Sequence, residues 1–366
     1  MSENAAEFQE KASRIRDLMR ARGWDRLALS APDSLAWAAC GARPYVNLLG
    51  PAGVFTLLYG PRDVLALTNR IEAPRLRDEE LAGLPVEITA HDWPEWNASR
   101  EAIVARLAAP GRLASDLPLA GAEPAGAEFK ALRYSLTEWE VRRARDLSKE
   151  AASVIEELAA AVAPGESEEA IVADMRARLG RRGILAPVAL IAADGRAFQY
   201  RHPLPTAKKL ERYCLLAVSA LRCGLLISLS RLVHFGDPPA ELLAKAAACA
   251  AVDAAFISAT TVGAAVKDVF EVGLGAYAAQ GYPDEWQLHH QGGAAGYTSR
   301  EFLGWSGSTE RVRESQLFAW NPSIAGVKSE DTILATARGP EVLTRTGRWP
   351  EIETDLGIPR PGILIR

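Results

Sequence analysis

The chain is predicted to fold as an α/β (α+β) protein of two domains, and three observations lead there. Its 366 residues exceed the about 250–300 at which a single hydrophobic core usually stops growing. Residues 25–69 alternate short apolar runs (RLALS, VFTLLYG, VLALTN) with Pro and Gly turns, and helical patterns such as Ala102 to Leu107 follow, which is the alternation of an α/β unit. Further along, residues 138–235 and 240–345 each carry paired helices followed by strands, a pseudo-twofold repeat without obvious sequence identity.

Taken in order, the segment from Met1 to Trp24 places Phe8, Ile15, Leu18 and Met19 on one side of a helix. It has no apolar run behind a basic segment, so it does not read as a secretion signal. Thr137-Glu138-Trp139-Glu140 forms a capping box, in which the Thr137 hydroxyl accepts from the Glu140 N–H and Glu140 bonds back. A long helix from Glu138 to Val162 follows, stopped by Pro164-Gly165, and a second runs from Ser167 to Arg182. The domain boundary is placed near residue 130, giving domains 1–130 and 131–366. Residues 184–235 are strand-like, and two helices, Pro239 to Ile257 and Ala264 to Ala279, precede a second strand group.

Composition narrows the function classes. A net charge of −4 with both signs interspersed lacks the clustered Lys and Arg of a polyanion-binding surface, so nucleic acid is not an expected partner. The most membrane-like stretch, Ala244 to Val266, contains Lys245 and Asp253 and reads as a packed helix rather than a span. A soluble, cytoplasmic protein is expected. Cys40, Cys214, Cys223 and Cys249 show no C-x-x-C spacing and are expected as reduced core thiols; a Cys214–Cys223 disulfide across neighbouring strands is conceivable but not implied.

The chemistry-bearing residues concentrate between Leu288 and Asp331, in LHHQGGAAGYTSREF and FAWNPSIAGVKSED, with GLLISLSRLVHFG and FQYRHPLPT upstream. These runs resemble the creatinase/Xaa-Pro aminopeptidase (prolidase, M24) family over nearly the whole chain. The resemblance implies a creatinase-type N-terminal α/β domain followed by a pita-bread domain, and a homodimer. In that family five side chains hold two divalent ions: two Asp eleven residues apart, a His in H-x-x-x-H-G-x-G, a Glu in E-P-G and a Glu in R-x-E-D. Anchoring on Gly224 and Arg231 places Ala217 and Ser228 at the Asp positions, and a shift of one or two residues would substitute Ser219 for Ala217. Gly293, Asn321 and Glu330 take the other three places. Only Glu330 retains a ligand side chain, so the expectation is a metal-ligand-degenerate member with no metal and no cofactor.

The resemblance also assigns roles. His202 aligns with the family His that contacts substrate or acts as acid/base; an imidazole with its pKa near ~6.5 can take and return a proton at neutral pH, although a loop His before Pro203 can equally have no task. Catalysis is therefore expected from His202 with Glu330. His289 and His290 flank the glycine run, and strand alternation would let only one face the pocket. His234 shares strand parity with Ser228 and Ser230. Arg300-Glu301 matches the G-R-E run of creatinase, where Arg300 would clamp a carboxylate or else form a structural salt bridge. Asn321 replaces a ligand Glu with an amide, and Lys328, two residues before Glu330, would pair with it. His234, His289, His290, Arg300, Glu301, Asn321, Lys328 and Ser228 are thus the expected substrate-binding set. His202, His234, His289 and Glu330 come from separated segments without metal-ligand spacing.

Three functions follow. The first is a metal-independent creatinase-like hydrolase or lyase that cleaves a C–N bond of a small amidine, amide or amino-acid-like substrate. The second is a non-catalytic binding or scaffold protein on the same fold, against which the polar floor argues. The third is an Xaa-Pro aminopeptidase or dipeptidase, whose metal would polarise the scissile carbonyl but whose ligands are missing.

Overall fold

The structure, a computed structural model, describes residues 3–366. The chain divides into two compact units, Met1–Arg133 and Tyr134–Arg366. In the first, strands β1 (Arg26–Leu29), β2 (Phe55–Tyr59), β3 (Val64–Asn69), β4 (Glu87–His91), β5 (Leu113–Ser115) and β6 (Glu123–Pro124) form a mixed sheet in the order β4-β3-β2-β1-β5-β6. The N-terminal helix Glu3–Arg22 buries Phe8, Ile15 and Met19, while Leu18 stays half-buried. It also buries Glu7 and Lys11 as an ion pair of 2.6 Å. Helix Trp93–Ala108 packs Trp96, Ile103 and Val104 onto the sheet with Leu58 and Leu67.

In the second unit the capping box forms as its sequence dictates: Glu140 N–H donates to Thr137 Oγ1 at 3.3 Å and Thr137 N–H to Glu140 Oε2 at 2.8 Å. Helices Glu138–Ala161 and Glu168–Gly180 precede β7 (Leu185–Ala193), β8 (Tyr213–Arg222) and β9 (Leu225–His234). Helices Ala240–Ala259 and Val266–Ala279 precede β10 (Gly292–Ala295), β11 (Phe302–Leu303), β12 (Gln316–Trp320), β13 (Ser323–Ile324), β14 (Val327–Lys328), β15 (Asp331–Thr336) and β16 (Gly339–Val342). The two larger sheets of this unit are β7-β8-β9, completed by the C-terminal strand Ile363–Ile365, and β11-β10-β12-β15-β16. They join where Ser230 N–H donates to Glu330 O at 3.0 Å and Leu226 N–H to Gly296 O at 2.8 Å. Ala240–Ala259 is long and apolar enough to cross a membrane, yet it is the central core helix, with Cys249, Val252, Phe256 and Ile257 buried against Tyr213, Trp320 and Ile333.

The cysteines depart in part from the expected core thiols. Cys214 and Cys249 are buried, but Cys40 is half-buried and Cys223 is exposed. Cys223 lies in the β8–β9 hairpin turn with φ 51°, where no side chain can reach the core. All four are free.

A buried ionic lattice ties the sheets to the core helix. Asp331 accepts from Arg231 at 3.0 Å and from Arg360 at 2.7 Å, and Arg360 also reaches Asp253 at 2.7 Å. Burial alone would raise the Asp331 carboxyl; Arg231 and Arg360 outweigh it and hold the group below the usual carboxylate range. Removing one partner leaves uncompensated buried charge, which costs about 3–5 kcal/mol. Asp331→Asn is therefore expected to lower unfolding free energy by about 3 kcal/mol or more in urea titration; a loss below about 1 kcal/mol would contradict this role.

Candidate active site

Two adjoining cavities in the second unit share His202 and His290 in their walls. The smaller, about 130 Å³, is lined by Ala217 and Ser219 of β8, with Arg300, Asn321, Lys328 and Glu330. The larger, about 560 Å³, is walled by Phe270, Trp286, Leu288, His289, Leu303 and Trp305.

Charge in the small cavity is carried by one carboxylate and two cations. Lys328 Nζ lies 2.9 Å from Glu330 Oε2, Arg300 Nη2 lies 3.4 Å from Glu330 Oε1, and Ser230 donates to Oε2 at 2.7 Å. Burial would raise the Glu330 carboxyl, but Lys328 and Arg300 together hold it below its ordinary value. Two side-chain atoms here are buried without a protein partner: Arg300 Nε and Asn321 Oδ1.

Beside this cluster stand three imidazoles. His202 Nε2 and His289 Nε2 are 3.2 Å apart, and His289 Nδ1 meets Ser323 Oγ at 3.1 Å, which in turn accepts from Arg201 at 3.0 Å. Arg201 is also paired with Glu285. The ring centroids of His202 and His290 are 5.6 Å apart. Burial, then Lys328, then the neighbouring rings push His289 down to about 2. Burial and Arg300 take His290 to about 4. His202 is lowered by the same causes, burial first and Lys328 next. All three are therefore neutral at pH 7, and His202 is an exposed residue open to both cavities.

Several expectations are corrected by this geometry. His289 and His290 turn to the same side, because they lie in irregular chain between a 3-10 turn ending at Leu288 and the start of β10 at Gly292, so strand alternation does not apply. His234 shares parity with Ser228 but sits six residues along β9, about 20 Å away, bonded through Nδ1 to Gly236 O at 2.9 Å; it lines neither cavity. Glu301 faces away from its neighbour Arg300 and accepts from Tyr297 N–H at 2.9 Å. Ser228 lies one layer back, its hydroxyl 2.8 Å from that of Ser219, which lines the cavity in its stead. Sequence reasoning passed over Ser219 as a contact and missed Arg201, Ser323, Trp286 and Trp305. The adjacency of Arg201 to His202 and the GWSG run around Trp305 were the available signals.

A family dinuclear metal centre does not fit these residues. Both Glu330 oxygens are engaged, Oε1 by Arg300 and Oε2 by Lys328 and the Ser230 hydroxyl. Gly293 has φ 151°, and a Cβ there would lie 2.3 Å from Phe302 O and 2.8 Å from Gly304 N. No side chain, ligating or otherwise, can stand at that position without moving β11. The imidazole nitrogens of His202, His289 and His290 lie within 4.8 Å of one another, close enough to share one ion. However, Gly292 N–H donates to His290 Nδ1 at 3.3 Å, leaving its proton on Nε2, and Lys328, Arg300 and Arg201 surround the trio with positive charge. This donor set suits neutral hydrogen bonding better than cation binding.

Fold and site together define a two-unit protein with a creatinase-type N-terminal domain and a pita-bread domain whose floor holds charged side chains. Comparison assigns the family: residues 140–337 match the model for metallopeptidase family M24, and the chain belongs to that family. Among solved structures, the prolidase from Pyrococcus horikoshii OT3 is 18% identical with a TM-score of 0.76, over 92% of this chain and 98% of that one. The X-Pro aminopeptidase from Thermotoga maritima MSB8 is 15% identical, TM-score 0.77, over 97% and 99%. The N-terminal domain of FACT complex subunit SPT16 from Cicer arietinum (chickpea) is 12% identical, TM-score 0.68, over 93% and 96%. A search of curated proteins finds no match. At these identities the structural likenesses show the fold.

The imidazoles carry a pH signature. A base whose folded pKa is depressed lets the unfolded chain bind the proton first, so stability falls as pH drops below the ordinary value of 6.5 and goes on falling toward about 4 for His290 and about 2 for His289. At pH 5 the buried His289 alone would cost about 2 kcal/mol. Melting temperature is expected to fall between pH 6.5 and 5, and to fall less in His289→Gln/His290→Gln; equal slopes would contradict the assignment.

Proposed function

We propose that this chain is a metal-independent hydrolase that cleaves a C–N bond in a small amide, amidine or amino-acid-like compound. The observation that carries the reading is the Lys328–Glu330–Arg300 cluster standing where the family's metal ligands align, with a neutral, accessible imidazole beside it. Lys328 and Arg300 supply fixed positive charge toward an oxygen that becomes negative during attack, the task a metal performs in the relatives. His202 takes the proton of the attacking water as the C–O bond forms and returns it to the nitrogen as the C–N bond breaks. His289 and Ser323 orient that ring.

The same proposal includes a small-molecule substrate, the homodimer implied by the family resemblance, and a cytoplasmic setting. In cleavage without added water, as a lyase, His202 instead takes a proton from the substrate carbon next to the C–N bond and gives it to the nitrogen as that bond breaks and a C=C or C=N double bond forms. A metallopeptidase, as the family description and the likeness to a prolidase and an X-Pro aminopeptidase suggest, is disfavoured by the donor set. A binding protein on this fold is the second reading, supported by the likeness to a domain of a FACT complex subunit.

The test is turnover of amides, amidines and dipeptides by chelator-treated protein. His202→Ala is expected to leave melting at pH 7 unchanged and lower turnover by about a hundredfold or more, with loss of the acid limb of the pH–rate profile below 6.5. Full activity in His202→Ala would remove its role. Ligand-induced thermal shifts without turnover of any compound would replace the hydrolase by the binding protein.

A further inference from the structure

The two cavities differ in character, and their junction is the imidazole cluster. In the small one, Lys328, Arg300 and Glu330 sum to one net positive charge, because the imidazoles are neutral. Its about 130 Å³ is the space of about four waters, enough for a carboxylate with one or two carbons. Asn321 is 2% exposed, lines this cavity, and its Oδ1 has no partner in the protein. A buried amide in that state calls for a ligand group that can hydrogen-bond it.

The larger cavity is built for an apolar group. Trp305 is 57% exposed and Leu288 65%, while Trp286 stands edge-on to Phe270 at 5.9 Å. The loop around Trp305 is shaped for it. A Cβ at Gly304 would lie 2.5 Å from the Trp320 ring, and one at Gly307 would lie 2.3 Å from the Trp305 ring. The two glycines thus let the chain wrap closely on these indoles and hold Trp305 at the cavity wall. A volume of about 560 Å³ lies within the usual range for small-molecule pockets.

We infer that the ligand is an N-acyl α-amino acid: a small carboxylate-bearing amine part in the charged cavity, joined by a secondary amide to an aromatic or branched apolar acyl group against Trp286 and Trp305. Its carboxylate meets Arg300, whose Nε has no partner in the protein, and its amide lies at the junction beside His202, with the carbonyl oxygen toward Lys328 and the N–H within reach of Asn321 Oδ1. This rests on the hydrolase reading for its reaction: water adds to the acyl carbon, the C–N bond breaks, and the carboxylic acid and the free amino acid leave. The placement of the ligand does not depend on cleavage.

Titration calorimetry with N-phenylacetylglycine, its methyl ester and N-acetylglycine tests it. N-phenylacetylglycine is expected to bind, with the ester, which lacks the negative charge, and N-acetylglycine, which lacks the ring, each at least tenfold weaker. Trp305→Ala is expected to weaken the phenylacetyl compound at least fivefold and leave N-acetylglycine unchanged. No binding of N-phenylacetylglycine, or equal affinity for all three, overturns the inference. Binding with this pattern but no release of glycine keeps the ligand class and removes the hydrolase; hydrolysis of N-acetylglycine as fast as of the phenylacetyl compound keeps the hydrolase and removes the ligand class.

Discussion

The ion cluster formed by Lys328, Glu330 and Arg300 is the interaction on which the rest of the site depends. A carboxylate buried alone would protonate or destabilise the fold, and here its two cations are held on the same floor by separate elements: Lys328 on β14 and Arg300 in the turn before β11. The arrangement leaves one positive charge in excess, which adds to burial, the larger cause, in lowering His202, His289 and His290. One cluster therefore sets the sign of charge in the small cavity and reinforces the neutral state that burial gives the rings bordering it. It also engages both oxygens of Glu330, the one carboxylate at the family's ligand positions.

At the family's ligand positions the backbone packing argues in the same direction as the side chains. At Gly293 the β10 chain passes so close to β11 that a side chain has no room, and at Gly304 the same closeness brings the loop onto Trp320. This hairpin packing borders the cavity of about 130 Å³. It also carries Trp305 to the edge of the neighbouring one. Restoring a His at position 293 would therefore not restore a metal site without moving β11.

What was legible in the sequence follows from the range over which each signal acts. The capping box at Thr137 and the helix it starts are local hydrogen-bond chemistry, and they form where the four residues place them. The depletion of ligands at Ala217, Ser228, Gly293 and Asn321 could be read because the anchors Arg231, Pro322 and Glu330-Asp331 fix the register of the resemblance. Side-chain direction was harder. Parity along β9 groups His234 with Ser228, but parity says nothing of distance along a strand, and His234 lies at its far end. Parity also separated His289 from His290, where the chain is not a strand at all. The gathering of His202, from a loop before β8, with His289 and Ser323 is a tertiary event between residues up to about 120 positions apart, and no local pattern encodes it.

The central claim is that fixed side-chain charge has replaced bound metal in this member of the family. Elemental analysis of the protein purified without chelator, together with melting in the presence and absence of EDTA, tests it most directly. The account predicts well under one equivalent of Mn, Co or Zn per chain and an unchanged melting temperature. Two stoichiometric ions per chain, or a chelator-induced fall in melting temperature, would contradict it.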